Sequence, residues 1–365
     1  LAMRLTNNKK KGKKPQVLFL ATHHAREWVA TEMAMRLIRY LTANFGSDGR
    51  VTDLLNTTEV WVVPVGNPDG YQYTFTNERL WRKNLRDNDG DGEITIADGV
   101  DLNRNFESPG GLDEEGSSSN PSDATYRGTA PDSEPETQAV VKFIESNDFK
   151  FIISYHTHGN WILYPWGWQW KTTSLDDPIF LAQAGTDANP AIWDSLRDEG
   201  YDPGVGADLY ITNGDFTDYT YGKLGIPSHT IEFTKGYDFR FPDDEDMVQT
   251  VFMDSLEFVL SVAESATDPA HPVSPVGPAA EDVYHTPVTE SYGPNQMIEV
   301  LARKGLALTL SATGGSPTAF AEQLGSRYND RPGTYYSRYV AYINGQRTGV
   351  FEYSISAGDV TLGPY

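Results

Sequence analysis

Apolar residues recur along this chain with two different periods. Residues 17–22 form a short continuous apolar run, the pattern of a strand buried on both faces. Trp28, Met33, Leu37, Ile38 and Leu41 then follow at helical spacing, and Gly46 stops that helix. Residues 60–65 predict another buried strand, followed by a turn at Asn67-Pro68-Asp69-Gly70. Further along, the pattern predicts helices over 134–146 and 177–188 and strands over 149–155 and 226–233. A long amphipathic helix follows over 243–266, with Met247, Val251, Phe252, Leu256, Val259 and Val262 on its apolar side. Strands alternating with helices predict an α/β fold, a mixed central sheet flanked by helices.

The pattern changes after Pro269, Pro272, Pro275 and Pro278, which mark a stiff linker. Residues 350–356 alternate, with Phe351, Tyr353 and Ile355 facing one way and Glu352 and Ser354 the other. Residues 297–301, 307–310 and 338–343 also read as strands, with glycine-rich turns between them. The expected organisation is a large domain over 1–268, a linker over 269–282 and a small all-β, sandwich-like domain over 283–365, which shows no site of its own. Leu1 and the lysine-rich residues 7–14 lead directly into the first strand, so the natural N-terminus is expected upstream.

Composition narrows the function classes. The 365 residues are 39% hydrophobic and 12% aromatic, and no apolar run approaches the ~20 residues of a membrane span. The net charge of −22 and pI near 4.6 argue against nucleic acid, which demands basic patches. With no cysteine, the fold relies on no disulfide, and redox chemistry says nothing of compartment.

Candidate chemistry begins at His24-Ala25-Arg26-Glu27-Trp28. His24 and Glu27 stand three apart, so one helical turn or a tight loop points both side chains the same way. An imidazole and a carboxylate make half of a zinc site. His156, at the end of the strand over 149–155, supplies a third ligand and leaves one position open, as a catalytic zinc requires. Both histidines fall at strand ends, where open α/β sheets gather ligands. Arg82, Asn103 and Arg104 add donors suited to a carboxylate, and Glu232 closes a strand where it suits a general base.

The segment from Asp87 to Asp98 has a second metal signature. Asp87, Asp89, Asp91 and Asp98 occupy positions 1, 3, 5 and 12 of a loop with Gly92 at position 6, the spacing of a calcium loop. The plainer reading is a solvated acidic turn.

The ordered series His24-Ala25-Arg26-Glu27-Trp28, Asn67-Pro68-Asp69-Gly70-Tyr71, Trp81-Arg82-Lys83, Gly99-Val100-Asp101-Leu102-Asn103-Arg104-Asn105-Phe106, Ser154-Tyr155-His156 and Thr230-Ile231-Glu232-Phe233 resembles the zinc metallocarboxypeptidases of the carboxypeptidase A/B/T type. That resemblance covers roughly residues 1–265 and not the β region. It implies a secreted, monomeric enzyme that removes the last residue of peptides and proteins having a free C-terminus. His24, Glu27 and His156 resemble the family's zinc ligands; His23 is out of register for that role. Asp101 resembles the carboxylate that orients His24. Asn103 and Arg104 resemble the clamp on the substrate's terminal carboxylate, and Arg82 the group that stabilises the oxyanion. Arg26 resembles an outer arginine on the carboxylate's entry path, and Tyr210 the mobile tyrosine that closes over the bound residue. Glu232 resembles the base that takes a proton from the attacking water and passes it to the leaving amine.

Residues 210–221 resemble the stretch that forms the pocket for the substrate's last side chain. Thr217 falls near the selectivity position and favours neutral or apolar residues. Asp215 either faces solvent or admits Lys and Arg, and Asp218 is read as structural. The implied specificity is broad: apolar and aromatic residues, with basic ones open. Three departures stand out: fewer residues precede His24 than in the family, His158 replaces a frequent tyrosine, and the segment before Glu232 is one residue shorter. The alternatives are a peptidoglycan stem-peptide peptidase of the same fold and a non-catalytic metal-binding protein on this scaffold.

Overall fold

The computed structural model describes residues 1–236, 239, 244–277, 279–288, 295–324, 333–344 and 352–365. They form two compact units, Leu1–Thr173 with Ile179–Ala279 and Ser174–Pro178 with Ala280–Tyr365.

The first unit is built on a mixed sheet of strands β1 (Met3–Leu5), β2 (Gln16–Ala21), β3 (Glu59–Val63), β4 (Phe149–Thr157), β5 (Trp161–Tyr164), β6 (Asp202–Val205) and β7 (Ser228–Phe233). Its order is β1-β3-β2-β4-β7-β5-β6. β3, β2, β4 and β7 run parallel, whereas β1 joins β3, and β5 joins β7, antiparallel. Register aligns the ends of the central strands: Ala21 of β2 pairs with Tyr155 of β4, and His156 of β4 pairs with Glu232 of β7.

Helices cover both faces, which is why β2 and β4 are buried along almost their whole length. Leu18, Leu20 and Ile152 pack with Ile144 of α2 (Pro135–Glu145) and with Phe216 and Tyr219 of α3 (Phe216–Gly222). On the opposite face His229 of β7 meets Phe258 of the helix Glu245–Ser265, whose Phe252 in turn contacts Tyr40 of α1 (Trp28–Asn44). No helix among the described residues is long and apolar enough to cross a membrane.

Several expected elements change in the structure. The 67–70 turn is the start of a helix, Pro68–Thr76: Asn67 caps it by accepting from the Gly70 amide at 3.1 Å, and Pro68 occupies the first turn, where its missing N–H costs nothing. His156 lies inside β4 rather than just beyond it. The helix expected over 177–188 ends at Ala184, where Gly185, with φ of 82°, turns the chain into a small hairpin with Asn189–Pro190. The residues after Pro269 fold back within the first unit, the Val273 amide donating to Ser265 Oγ and Asn189 Nδ2 to the Val276 carbonyl. Asp243, Pro278, Val350 and Phe351 lie outside the described residues.

The second unit holds two four-stranded antiparallel sheets among the described residues. Ile298, Val300 and Ala302 of one share a single core with Leu308, Leu310, Tyr353 and Ile355 of the other, as in a β-sandwich.

Candidate active site

β2 delivers the first two side chains. Thr22, just past its end, takes φ of 63°, a left-handed conformation unusual for a β-branched residue. Its hydroxyl is held by Thr31 Oγ1 at 2.6 Å and the Pro64 carbonyl at 3.3 Å. The chain then makes a tight turn, closed by the Glu27 amide donating to the His24 carbonyl at 3.2 Å, before α1 begins. The turn is braced twice: the Ala25 amide donates to the Arg82 carbonyl, and Asn67 Nδ2 donates to the carbonyls of His23 and Lys83.

His24, Glu27 and His156 are brought together, all three buried, with ligand atoms mutually within 4.8 Å. His24 Nδ1 lies 2.6 Å from one Glu27 oxygen, and His156 Nδ1 lies 2.9 Å from the other. Two imidazole nitrogens and a carboxylate brought this close form a donor set that suits zinc. His23 is buried but stands outside this group.

Asp101 links the centre to an arginine. It caps the 3-10 turn Leu102–Arg104, accepting from the Asn103 amide at 2.9 Å on the same oxygen that lies 3.2 Å from His24 Nε2. Its other oxygen accepts from Arg82 Nε at 3.0 Å and Nη2 at 2.7 Å. Burial would raise the Asp101 carboxyl, but Arg82 and His24 outweigh it and hold it well below the carboxylate range. Burial would likewise lower Arg82, yet Asp101, Tyr210 and Glu27 keep its guanidinium above the ordinary value.

On the far side, Asn103, Arg104, Tyr210, Asp215, Thr217, Asp218 and Glu232 line one pocket with Leu163, Tyr164 and Leu209. Asn103 Oδ1 accepts from the Phe216 amide at 2.9 Å, leaving its NH2 for the pocket. Arg104 Nη1 donates to the Asn103 carbonyl, while its buried Nε finds no partner among the described residues. Gly214, with φ of 71°, lies against the Arg104 carbonyl where a Cβ has no space, so the 210–215 loop closes onto the Arg104 backbone. Tyr210 is half-exposed, its ring centroid 5.9 Å from Arg104 Cζ. Arg26 stands apart from this pocket, stacked over Phe239 at 3.6 Å and lining a second groove with Arg82 and Trp81. Burial lowers its guanidinium to about 10.

Glu232 Oε2 is buried without a hydrogen-bond partner among the described residues. Burial, then the Glu27 charge, push its carboxyl well above the usual range against the opposing pull of Arg82 and Arg104. Asp215 is buried, capping α3 by accepting from the Asp218 amide and taking a bond from Thr212 Oγ1 at 2.8 Å. Asp218 accepts from the amides of Gly167 and Trp168 and is pushed up by burial and by Asp215. Thr217 shares a hydroxyl contact of 2.8 Å with Thr230. Sequence reasoning passed over Thr230 as a pocket residue, although it stands two before Glu232 on a strand and therefore shares its face. Phe239, which stacks on Arg26, left no signal in the sequence.

In the acidic loop, Asp87, Asp89 and Asp91 are exposed and cluster. Asp98 is not drawn into that group. Its oxygens accept instead from the Asn88 amide and from the Thr95 amide and hydroxyl, and it is fully buried.

Known proteins are similar to this chain in sequence and fold. The model of the zinc carboxypeptidase family (peptidase M14) matches residues 1–254. Carboxypeptidase O of Bos taurus is 35% identical over 246 residues, covering 66% of this chain and 63% of that protein. The chain thus spans less than two thirds of that relative's length. The crystal structure of thrombin activatable fibrinolysis inhibitor superposes with a TM-score of 0.64 at 28% identity, over 73% of this chain and 65% of the other. Carboxypeptidase A of Helicoverpa armigera gives 0.60 at 26% identity, over 73% and 64%. With the family's pattern matched from the first strand into the last helix of the first unit, the chain belongs to the zinc carboxypeptidase family.

Proposed function

We propose that this protein is a zinc-dependent carboxypeptidase that releases the last residue from peptides and proteins with a free C-terminus. The observation that carries the reading is the convergence of His24 Nδ1, Glu27 and His156 Nδ1 beside a pocket lined by Asn103, Arg104 and Glu232. His24, Glu27 and His156 would hold the zinc, which when bound would supply Lewis-acid activation of water and of the scissile carbonyl.

The chain's own residues do the rest. Arg104 and Asn103 bind the terminal carboxylate, which an internal peptide bond does not offer; this makes the reaction exopeptidic. Tyr210 closes over the bound residue. Asp101 fixes the tautomer of His24 and, through its other oxygen, the plane of Arg82. Arg82 stabilises negative charge developing on the carbonyl oxygen. Glu232, with a buried oxygen that has no partner among the described residues, takes the proton of the attacking water and returns it to the leaving amine. Arg26, on the neighbouring groove, guides the carboxylate inward.

The pocket supports a broad specificity. Leu163, Tyr164, Leu209 and the paired hydroxyls of Thr217 and Thr230 suit apolar and aromatic side chains, and the buried Asp215 supplies a charge for Lys or Arg. We also assign calcium to Asp87, Asp89 and Asp91, with Asp98 closing the loop rather than ligating. The first unit is the catalytic domain in this reading and the β unit an accessory one.

The test compares N-blocked peptides ending in Phe, in Lys and in Phe-amide, each with and without a zinc chelator. The reading expects release from the free acids only, abolished by chelator and restored by zinc. A folded, zinc-loaded protein that cleaves none of the free acids sinks it.

A further inference from the structure

His23 precedes the first zinc ligand and has no part in the mechanism above, yet it is buried beside the metal centre. Its ring is buried and lies parallel to that of His156, the planes 5° apart and the centroids 5.6 Å apart. The hydroxyl of Ser154, two residues before His156 on β4 and hence on the same face, sits between them. Ser154 Oγ is 2.9 Å from His156 Nε2 and 3.4 Å from His23 Nδ1.

The order of protons along this row follows from the metal centre, on whose reading this inference rests. His156 turns Nδ1 toward His24 and Glu27, so as a neutral ligand it carries its proton on Nε2. That proton is donated to Ser154 Oγ. A hydroxyl that accepts one bond still has its own proton to give, and the acceptor within reach is His23 Nδ1. His23 then carries its proton on Nε2, which is buried without a hydrogen-bond partner among the described residues and is packed with Phe106 and Phe216. The Phe216 ring centroid is 4.9 Å from His23, and the Phe216 amide is the donor that holds Asn103 Oδ1.

We propose that His23 is a positioning residue: through the Ser154 hydroxyl it fixes the tautomer and plane of His156, and through Phe216 it ties the metal centre to the carboxylate clamp. The row runs His156 Nε2–H to Ser154 Oγ–H to His23 Nδ1. It does for His156 what Asp101 does for His24, with neutral groups in place of a carboxylate. Partners of this kind hold ligand geometry and are worth about 10–100-fold in metal affinity.

The experiment measures zinc release from the full chain by transfer to a chromophoric chelator, alongside the melting temperature of the metal-free protein. His23→Phe keeps a ring in the stack and removes the acceptor; Ser154→Ala removes the hydroxyl; His23→Asn restores an acceptor near the Nδ1 position. The proposal expects His23→Phe and Ser154→Ala each to release zinc about 10–100-fold faster, with the metal-free melting temperature unchanged and His23→Asn returning toward wild type. Wild-type release from His23→Phe overturns the relay, and a metal-free protein destabilised in step with zinc loss reduces His23 to a packing role. A wild-type chain that takes up no zinc, or whose zinc survives His24→Ala, overturns the metal-centre reading itself.

Discussion

Glu27 and Glu232 occupy one buried site and are driven in opposite directions. Burial raises both carboxyls; His24 and His156 then pull Glu27 well below its ordinary value, while the charge of Glu27 adds to burial at Glu232. A base must be deprotonated to act, so kcat/KM should fall as pH falls through the Glu232 titration. Glu232→Gln should lower kcat/KM by about 10²–10⁴-fold with zinc content unchanged, and should erase that acidic limb. The same substitution has an opposite effect on stability. A carboxyl whose folded pKa is raised withdraws stability as pH rises through that pKa, so metal-free Glu232→Gln should melt higher than metal-free wild type at neutral pH. An unchanged or lower melting temperature would remove the electrostatic argument while leaving the catalytic one standing. Arg104 is tested on the substrate side. Charge-assisted bonds are worth about 1.5–3 kcal/mol, so Arg104→Ala should cost about 10–10²-fold in kcat/KM for a free acid. It should also blunt the preference for free acid over amide in parallel assays.

At the level of elements, much of the architecture and site was legible because chemistry and periodicity coincided. The apolar run of β2 and the motif that follows it placed His24 and Glu27 at a strand end, and β4 and β7 then aligned His156 with Glu232. What the sequence hid were choices decided by a single side chain or by distant partners. Asn67-Pro68 has turn composition, yet the Asn67 side chain caps a helix, so the same residues start an element rather than end one. The inward turn of Asp98 depends on the Asn88 and Thr95 amides within the folded loop, which residue spacing alone does not specify. That loop carries its own prediction. If Asp87, Asp89 and Asp91 hold calcium, adding calcium to the zinc-loaded protein should raise its melting temperature, and Asp89→Ala should abolish the rise. Because Lys83 Nζ donates to the Ile96 carbonyl, loosening the loop should also raise KM through the neighbouring Arg82. Calcium titrations that leave both melting temperature and KM unmoved would return the loop to a solvated acidic turn.

For the whole molecule, the second unit includes a short segment remote in sequence, Ser174–Pro178, which composition and periodicity did not separate from the first. Its two neighbouring carboxyls meet contrasting surroundings. Asp176, fully buried, accepts from the amides of Thr334, Tyr335 and Tyr336, and Gly333 leaves it space where a Cβ would stand 2.5 Å from its oxygen. Asp177 has an oxygen buried without a partner among the described residues, and burial pushes its carboxyl up to about 6. Its sign is therefore that of a group protonated more readily when folded: its contribution to stability is complete below about pH 4 and is lost as pH rises through about 6. Two pKa units at 1.36 kcal/mol each amount to about 3 kcal/mol, so Asp177→Asn should flatten the stability profile between those pH values and raise stability at pH 7. Asp176→Ala should do the reverse. Three amides lose their acceptor, and orphaned buried donors cost about 1–3 kcal/mol each. Proteolysis within residues 280–365 should accelerate at all pH values, while kcat, set by residues of the first unit, stays at the wild-type level. Proteolysis at the wild-type rate would mean that the Asp176 bonds do not hold the unit; a fall in kcat with unchanged proteolysis would mean that they serve the first unit instead.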